Sequence, residues 1–306
     1  MLRLHARAKI NWTLDILGTR EDGYHLLDML MQSVALHDTL WLEPAPELSL
    51  TVESGGAPSG PPDADGLSSG AVTAGPENLV WQAAERLRRQ AGSPPPGARM
   101  RLVKRIPSGA GLGGGSADAA AALAGLNRLW GLGLTDEALR AVGLSLGADV
   151  PFQLLGGLAR VGGVGERLEP LPPPPPLWLT LVQPCGGLST REVFRAFDAL
   201  PAGSYTRPDT PRAREALASG DLGALARSMQ NALEGVSLKR RPAMARALSE
   251  LEALGAARAM MTGSGSVVYG VFDRRADAER ARAALSGAYP ACLVTRTERA
   301  PGVVVA

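Results

Sequence analysis

Residues 107–117 read Pro107-Ser108-Gly109-Ala110-Gly111-Leu112-Gly113-Gly114-Gly115-Ser116-Ala117, with five glycines between positions 109 and 115. Glycine accepts positive φ and lets a backbone approach a ligand closely. A helix that starts just after such a loop presents unpaired N–H groups and the positive end of its dipole, which suits phosphate. A short strand, Met100–Val103, precedes the loop, and an Ala- and Leu-rich helix is predicted over Ser116–Trp130, with Ser116 able to cap it. Strand, glycine loop and helix together make a phosphate cradle. No Lys follows the glycines, so the loop is not a GxxxxGK[ST] site. Gly109, Gly111 and Gly114 do satisfy GxGxxG, the dinucleotide fingerprint, but several strands come before the loop instead of the loop opening the first βα unit.

Cation usage supplies a second lead. Of 32 basic residues only three are lysine, namely Lys9, Lys104 and Lys239. A chain that uses arginine so freely retains lysine where a compact ammonium is wanted and a planar fork will not serve. Asparagine is also scarce, at Asn11, Asn78, Asn127 and Asn231.

These residues need elements to hold them. Leu2, Leu4, Ala6 and Ala8 alternate with Arg3, His5 and Arg7, the pattern of a half-buried strand. Asn11–Leu17 continues it or forms a second one. Gly18–Gly23 is a turn, and Met29–Leu36, Leu40–Leu42 and Leu48–Val52 read as strands. Residues 53–76 are rich in Gly, Pro, Ser and Asp and read as an exposed loop. Asn78–Gln90 is a helix, and Thr135 caps another running to about Leu146. The proline run Leu171–Leu177 is stiff and extended, and the domain junction is placed there, giving domains 1–170 and 171–306. Beyond it, Trp178–Val182, Ala259–Met261, Val267–Phe272 and Cys292–Thr297 read as strands. Ser189-Thr190-Arg191-Glu192 has the form of a capping box, Asp221 caps a further helix, and helices follow at Pro242–Leu254 and 275–286.

The loop resembles the phosphate motif of the GHMP kinases, a superfamily that includes galactokinase, homoserine kinase and mevalonate kinase. Two further segments are similar to it: Ala8-Lys9-Ile10-Asn11, and the glycine turn Thr262-Gly263-Ser264-Gly265-Ser266 between two strands. Within that superfamily the chain resembles the kinases of the non-mevalonate isoprenoid pathway that act on cytidine diphosphate-linked methylerythritol. The segments carrying this are Gly18, Arg20, Asp22-Gly23-Tyr24-His25, Leu27 and Gln32, then Gly147-Ala148-Asp149-Val150-Pro151-Phe152, then Thr190, Phe194 and Asn231–Glu234. The sequence departs from the pattern at Trp12, where Leu is usual, at Thr262 for Ser, and in the loop at 53–75.

The resemblance implies an α+β fold of two domains, the first like ribosomal protein S5 domain 2 and the second ferredoxin-like. It implies ATP as phosphoryl donor with Mg²⁺, and a small-molecule alcohol as acceptor. Asp149 would be the base, and Lys9 the ammonium that keeps it ionised and stabilises developing charge. His25 would read cytosine between the faces of Tyr24 and Phe194. Asn11 and Thr190 would contact substrate, Asn78 and Lys104 would lie near the adenosine, and Ser116 near phosphate or Mg²⁺. His5 and His37 are read as structural.

Composition limits the partners. Net charge is +2 with 45 % hydrophobic residues, so no basic patch announces nucleic acid or an anionic membrane. No stretch nears the ~20 apolar residues of a membrane span, and charges interrupt the N-terminal apolar runs, so a cytoplasmic enzyme is expected. The two cysteines, Cys185 and Cys292, read as ordinary thiols. Three rivals remain: a homoserine- or mevalonate-type kinase, disfavoured by Tyr24-His25; a Rossmann oxidoreductase; and a non-catalytic binding protein, disfavoured by Lys9 with Asp149.

Overall fold

A computed structural model describes residues 1–55, 72–90, 97–201, 203–299 and 301–305. Most of the expected 53–76 loop therefore lies outside the described residues. In chain order the strands are β1 (Leu2–Thr19), β2 (His25–Ala45), β3 (Ser49–Ser54), β4 (Gly97–Lys104), β5 (Leu158–Gly163), β6 (Arg167–Leu171), β7 (Trp178–Gln183), β8 (Gln230–Asn231), β9 (Arg258–Met261), β10 (Val268–Phe272), β11 (Ala291–Arg296) and β12 (Val303–Val305). The helices are α1 (Leu79–Gln90), α2 (Gly114–Trp130), α3 (Asp136–Leu144), α4 (Val150–Leu155), α5 (Thr190–Asp198), α6 (Thr210–Ser219), α7 (Leu222–Ser228), α8 (Glu234–Arg240), α9 (Pro242–Ala253) and α10 (Arg275–Leu285).

The first sheet runs β12-β1-β2-β4-β3, with β5 attached to β2, β6 attached to β5, and the short β8 parallel to β1. Strand β2 changes partners along its length: residues 39–45 pair with β4 and residues 27–32 with β5. One face of the sheet is covered by the helices α1, α2 and α3, whose Val80, Leu87, Leu123, Leu126 and Leu139 pack on Leu4, Leu40, Leu42 and Leu102. The second sheet, β11-β7-β10-β9, is wholly antiparallel. Its chain order, β7, β9, β10 and β11 with helices before β9 and β11, is the ferredoxin-like arrangement. The last strand, β12, leaves the second half and pairs with Leu4–Ala6 of β1. Among the described residues no helix is long and apolar enough to cross a membrane.

Local patterns read well and continuity read less well. Asn11–Leu17 continues the first strand, and Met29–Leu36 and Leu40–Leu42 are parts of one strand of 21 residues. The two long strands stay paired through register shifts at Arg7/Lys9, Asn11/Thr13 and Ile16/Gly18, which let one ladder bend instead of breaking. The turn expected from Gly18 starts later, at Arg20, because β1 runs on to Thr19. Thr135 and Asp221 cap α3 and α7 with side chains that accept from Ala138 and Ala224 N–H. Two cap expectations are corrected. Ser189 occupies the N-cap of α5 without a side-chain bond. Gly113, in the left-handed conformation, takes the N-cap of α2, leaving Ser116 inside the first turn.

His5 and His37 stack on the outer face of β1 and β2, ring centroids 4.1 Å apart. Burial, with the charges of His37, Arg3, Arg7 and Arg105, lowers His5 from its ordinary 6.5 to about 4. Between those values the unfolded chain takes up a proton that the folded chain refuses. This contribution to stability is complete above pH 6.5 and is lost as pH falls through about 4. Urea midpoints measured from pH 7 downwards are expected to fall more steeply for wild type than for His5→Gln; parallel curves would exclude the effect.

Candidate active site

The bend in β1 delivers the first of the expected site residues, Lys9. After the register shift at Arg7/Lys9 the strand is covered on both faces, and Lys9 is 3 % exposed. Its backbone N–H donates to Leu112 O at 3.0 Å, fastening the glycine loop to the strand. Its ammonium donates to Asn11 Oδ1 at 2.9 Å and lies 3.6 Å from Asp149 Oδ2. Asp149 stands at the start of α4, its carboxylate making no cap bond and its side chain 31 % exposed. The charge is thus left facing solvent on one side and an ammonium on the other.

Asn11 is fully buried and heavily used. Its Oδ1 accepts from Lys9 and from Gly263 N–H at 3.0 Å, and pairs with Thr262 Oγ1 at 3.3 Å. Thr262 Oγ1 also reaches Gly111 O at 3.4 Å, so the threonine at this departure from the family pattern links the glycine turn to the glycine loop. Trp12, the other departure, packs edge-on against Tyr269, whose hydroxyl donates to Asn11 O at 2.6 Å. Both substitutions therefore support the floor of the site.

Gly109, Gly111 and Gly113 all have positive φ. A Cβ on Gly111 would stand 2.1 Å from Thr262 O, and one on Gly113 would meet Gln153 Nε2 at 2.8 Å and Lys9 Cγ at 3.1 Å. The loop is glycine-rich because it is squeezed between β1, α4 and the 262–266 turn. The first N–H groups of α2 are left at its mouth, with no acidic residue in that turn to compete for them. Gly113→Val combines strained φ, costing roughly 1–2 kcal/mol, with a steric push on Lys9. ATP binding by calorimetry is expected to collapse while the second half stays folded; unchanged affinity would remove the loop from nucleotide binding.

A cavity of about 640 Å³ joins these parts. Its walls include Lys9, Asn11, Asn78, Lys104, Pro107–Gly111, Gly113–Ser116, Asp149, Thr190 and Phe194, so most of the residues singled out in the sequence meet here. Leu112 and Ala117 are 1 % exposed and serve as core plugs behind the loop. Tyr24, 63 % exposed, and His25 lie off the cavity lining. His25 leans on Phe194 at 4.5 Å between centroids, which brings it to the cavity's edge. Thr190 Oγ1 bonds Ser264 Oγ at 2.9 Å. Asn78 caps α1 through Val80 N–H and donates to Thr73 O, so both ends of its amide serve the wall.

Lys104 is committed more deeply than its sequence suggested. Its ammonium binds Asp38 and Asp118, the latter at 2.5 Å. Asp38 also accepts from the N–H groups of Arg105 and Ile106. One lysine thereby ties the strand leading into the loop to the helix leaving it. Burial opposes the lysine's charge, but Asp118 and Asp38 outweigh it and raise its pKa. Burial pushes the Asp118 carboxyl well above the usual range, against the pull of Lys104. Sequence reasoning passed over both aspartates. It also gave no role to Asn231, whose amide donates to Met261 O and Gly263 O and holds the glycine turn, or to Glu234, which accepts from Met261 N–H. The scarcity of asparagine and the family-like segment Asn231–Glu234 were the available signals for both.

Comparison with known proteins places this architecture. The family described as "GHMP kinases N terminal domain" matches residues 78–157, and "GHMP kinases C terminal" matches residues 213–291. The 4-diphosphocytidyl-2-C-methyl-D-erythritol kinase of Moorella thermoacetica is 44 % identical, over 97 % of this chain and 99 % of the relative. The enzyme of the same name from Pelotomaculum thermopropionicum is 47 % identical over 90 % of each. A crystal structure of 4-(cytidine 5'-diphospho)-2C-methyl-D-erythritol kinase superposes with a TM-score of 0.77 at 35 % identity, over 96 % of this chain and 98 % of that one. Homoserine kinase from Cytophaga hutchinsonii shares the fold at a TM-score of 0.74 and 19 % identity. A glycine loop locked to a lysine-bearing strand, a second glycine turn beneath it, and relatives alike along almost their whole length lead to one assignment: this chain belongs to the GHMP kinase superfamily, in the family of the 4-diphosphocytidyl-2-C-methyl-D-erythritol kinases.

Proposed function

We propose that this protein transfers the γ-phosphate of ATP to the 2-hydroxyl of 4-diphosphocytidyl-2-C-methyl-D-erythritol. The observation that carries the chemistry is the Lys9–Asp149 pair, 3.6 Å apart on the wall of the cavity that also holds the glycine loop. Phosphoryl transfer asks for positioning, charge stabilisation and a proton acceptor. Asp149 takes the proton of the acceptor hydroxyl. The Lys9 ammonium stabilises charge on the attacking oxygen. The N–H groups of residues 109–116 and the N-terminus of α2 hold the phosphates. Asn11 acts mainly through Lys9 and the glycine turn, since its side-chain oxygen is already spent on them. Asn78 and Lys104 border the nucleoside end, Thr190 and Phe194 border the cytidine end, His25 meets that end through Phe194, and Tyr24 would reach it from outside the lining. The domain division at 170/171 belongs to the same reading and is supported by the two separate sheets, with β12 returning to the first.

Magnesium fits this site. It usually keeps several waters and binds through one or two hard oxygens plus substrate phosphates. Ser116 and the solvent-facing side of the Asp149 carboxylate would supply such oxygens beside the loop, and Ser116 Oγ would be 3.7 Å from a Cβ on Gly147 in the loop that carries Asp149. When bound, the ion neutralises phosphate charge. ATP consumption measured with CDP-methylerythritol beside CDP, homoserine, mevalonate and galactose tests the assignment. Turnover with CDP-methylerythritol alone is expected; comparable turnover with homoserine or mevalonate would replace it.

A further inference from the structure

Helix α5 carries Thr190, Phe194 and Asp198 four residues apart, which sets them along one face. The first two line the cavity. The third, Asp198, ends the helix and reaches across to the first residue of β2: its Oδ1 lies 2.7 Å from His25 Nε2. The His25 side chain is 12 % exposed, held between this carboxylate and the tilted ring of Phe194. A carboxylate at the last residue of a helix faces the negative end of the dipole, so helix stability does not account for Asp198. A carboxylate accepts hydrogen bonds only. A neutral imidazole that meets it at Nε2 therefore carries its proton there and leaves Nδ1 as an acceptor. Nδ1 has no partner among the described residues.

We infer that Asp198 is a positioning residue that sets the base preference of this kinase by holding His25 in the Nε2–H tautomer. This rests on the cytidine reading above. An accepting Nδ1 matches the amino group at C4 of cytosine and opposes the carbonyl oxygen that uracil carries there. Without Asp198 the imidazole exchanges tautomers and can present an N–H to uracil, while the Phe194 face remains for either base.

The test uses the full chain at about pH 8.5, well above the ordinary imidazole value of about 6.5. The kcat/KM ratio for the cytidine and uridine forms of the acceptor is measured for wild type, Asp198→Ala and Asp198→Asn. In parallel, ¹⁵N shifts of the histidine side chains, with His25 assigned through His25→Gln, report which nitrogen is protonated. Wild type is expected to hold Nε2–H. Asp198→Ala is expected to show both tautomers and to lose at least about tenfold in discrimination, partly by a gain in uridine turnover. Asp198→Asn, whose amide oxygen also accepts, is expected to keep most of the preference. A merely structural role would weaken both substrates alike and leave the tautomer unmoved. Full discrimination in Asp198→Ala, or a wild-type His25 protonated at Nδ1, would overturn the inference and leave the cytidine reading standing. Equal use of both nucleotides by wild type would overturn the cytidine reading and this inference with it.

Discussion

Asp149→Asn is expected to lower kcat by at least about 10², with folding intact. That factor corresponds to roughly 2.7 kcal/mol of transition-state stabilisation and is the usual scale for a positioned acid–base group. The substitution keeps shape and removes the proton acceptor. The carboxylate makes no cap bond to α4, so its loss leaves no helix end unsatisfied. Lys9→Ala is expected to cost at least as much, because it also leaves Asn11 Oδ1 short of one donor. Lys9→Arg is expected to fail as well: Lys9 is 3 % exposed, with the loop close above it, and a longer planar fork has no room beside Gly113 and Gly263. Single-turnover kinetics with thermal melts as a control check these outcomes. Near-normal turnover in Asp149→Asn would take Asp149 out of the proton transfer.

The uridine form of the acceptor is expected to be poorer by a factor on the order of 10⁴ in kcat/KM, about 5.5 kcal/mol. Cytosine offers an amino donor beside a ring acceptor, and uracil offers the reverse polarity at both places. A pocket that pairs with the first leaves polar groups unpaired against the second, a far larger effect than a lost apolar contact. His25→Ala is expected to lose most of this preference. Phe194→Ala is expected to weaken both forms alike, since a stacked ring favours either base. The measurement is kcat/KM for both nucleotides across wild type and the two variants. A wild type that uses both equally would return the protein to a kinase without base selection.

What the sequence determined by itself was local. Glycines at 109, 111 and 113, followed by an alanine-rich run, spell a tight loop and a helix because positive φ and helical propensity are properties of single residues and short windows. Thr135 and Asp221 named their helices for the same reason. The rarity of lysine marked Lys9 and Lys104, and the resemblance to the kinase family set Lys9 beside Asp149 and Lys104 near the adenosine. Only the tertiary structure decided what those groups touch. Asn11 lies 251 residues before Thr262, Lys104 66 after Asp38, and His25 173 before Asp198. Such pairs are brought together by sheet register and by helices docking on the sheet, and no periodicity of 2 or 3.6 records them. The same is true of Ser116, a plausible cap by type, which lost that place to Gly113 because the squeeze between β1, α4 and the 262–266 turn requires a left-handed residue there.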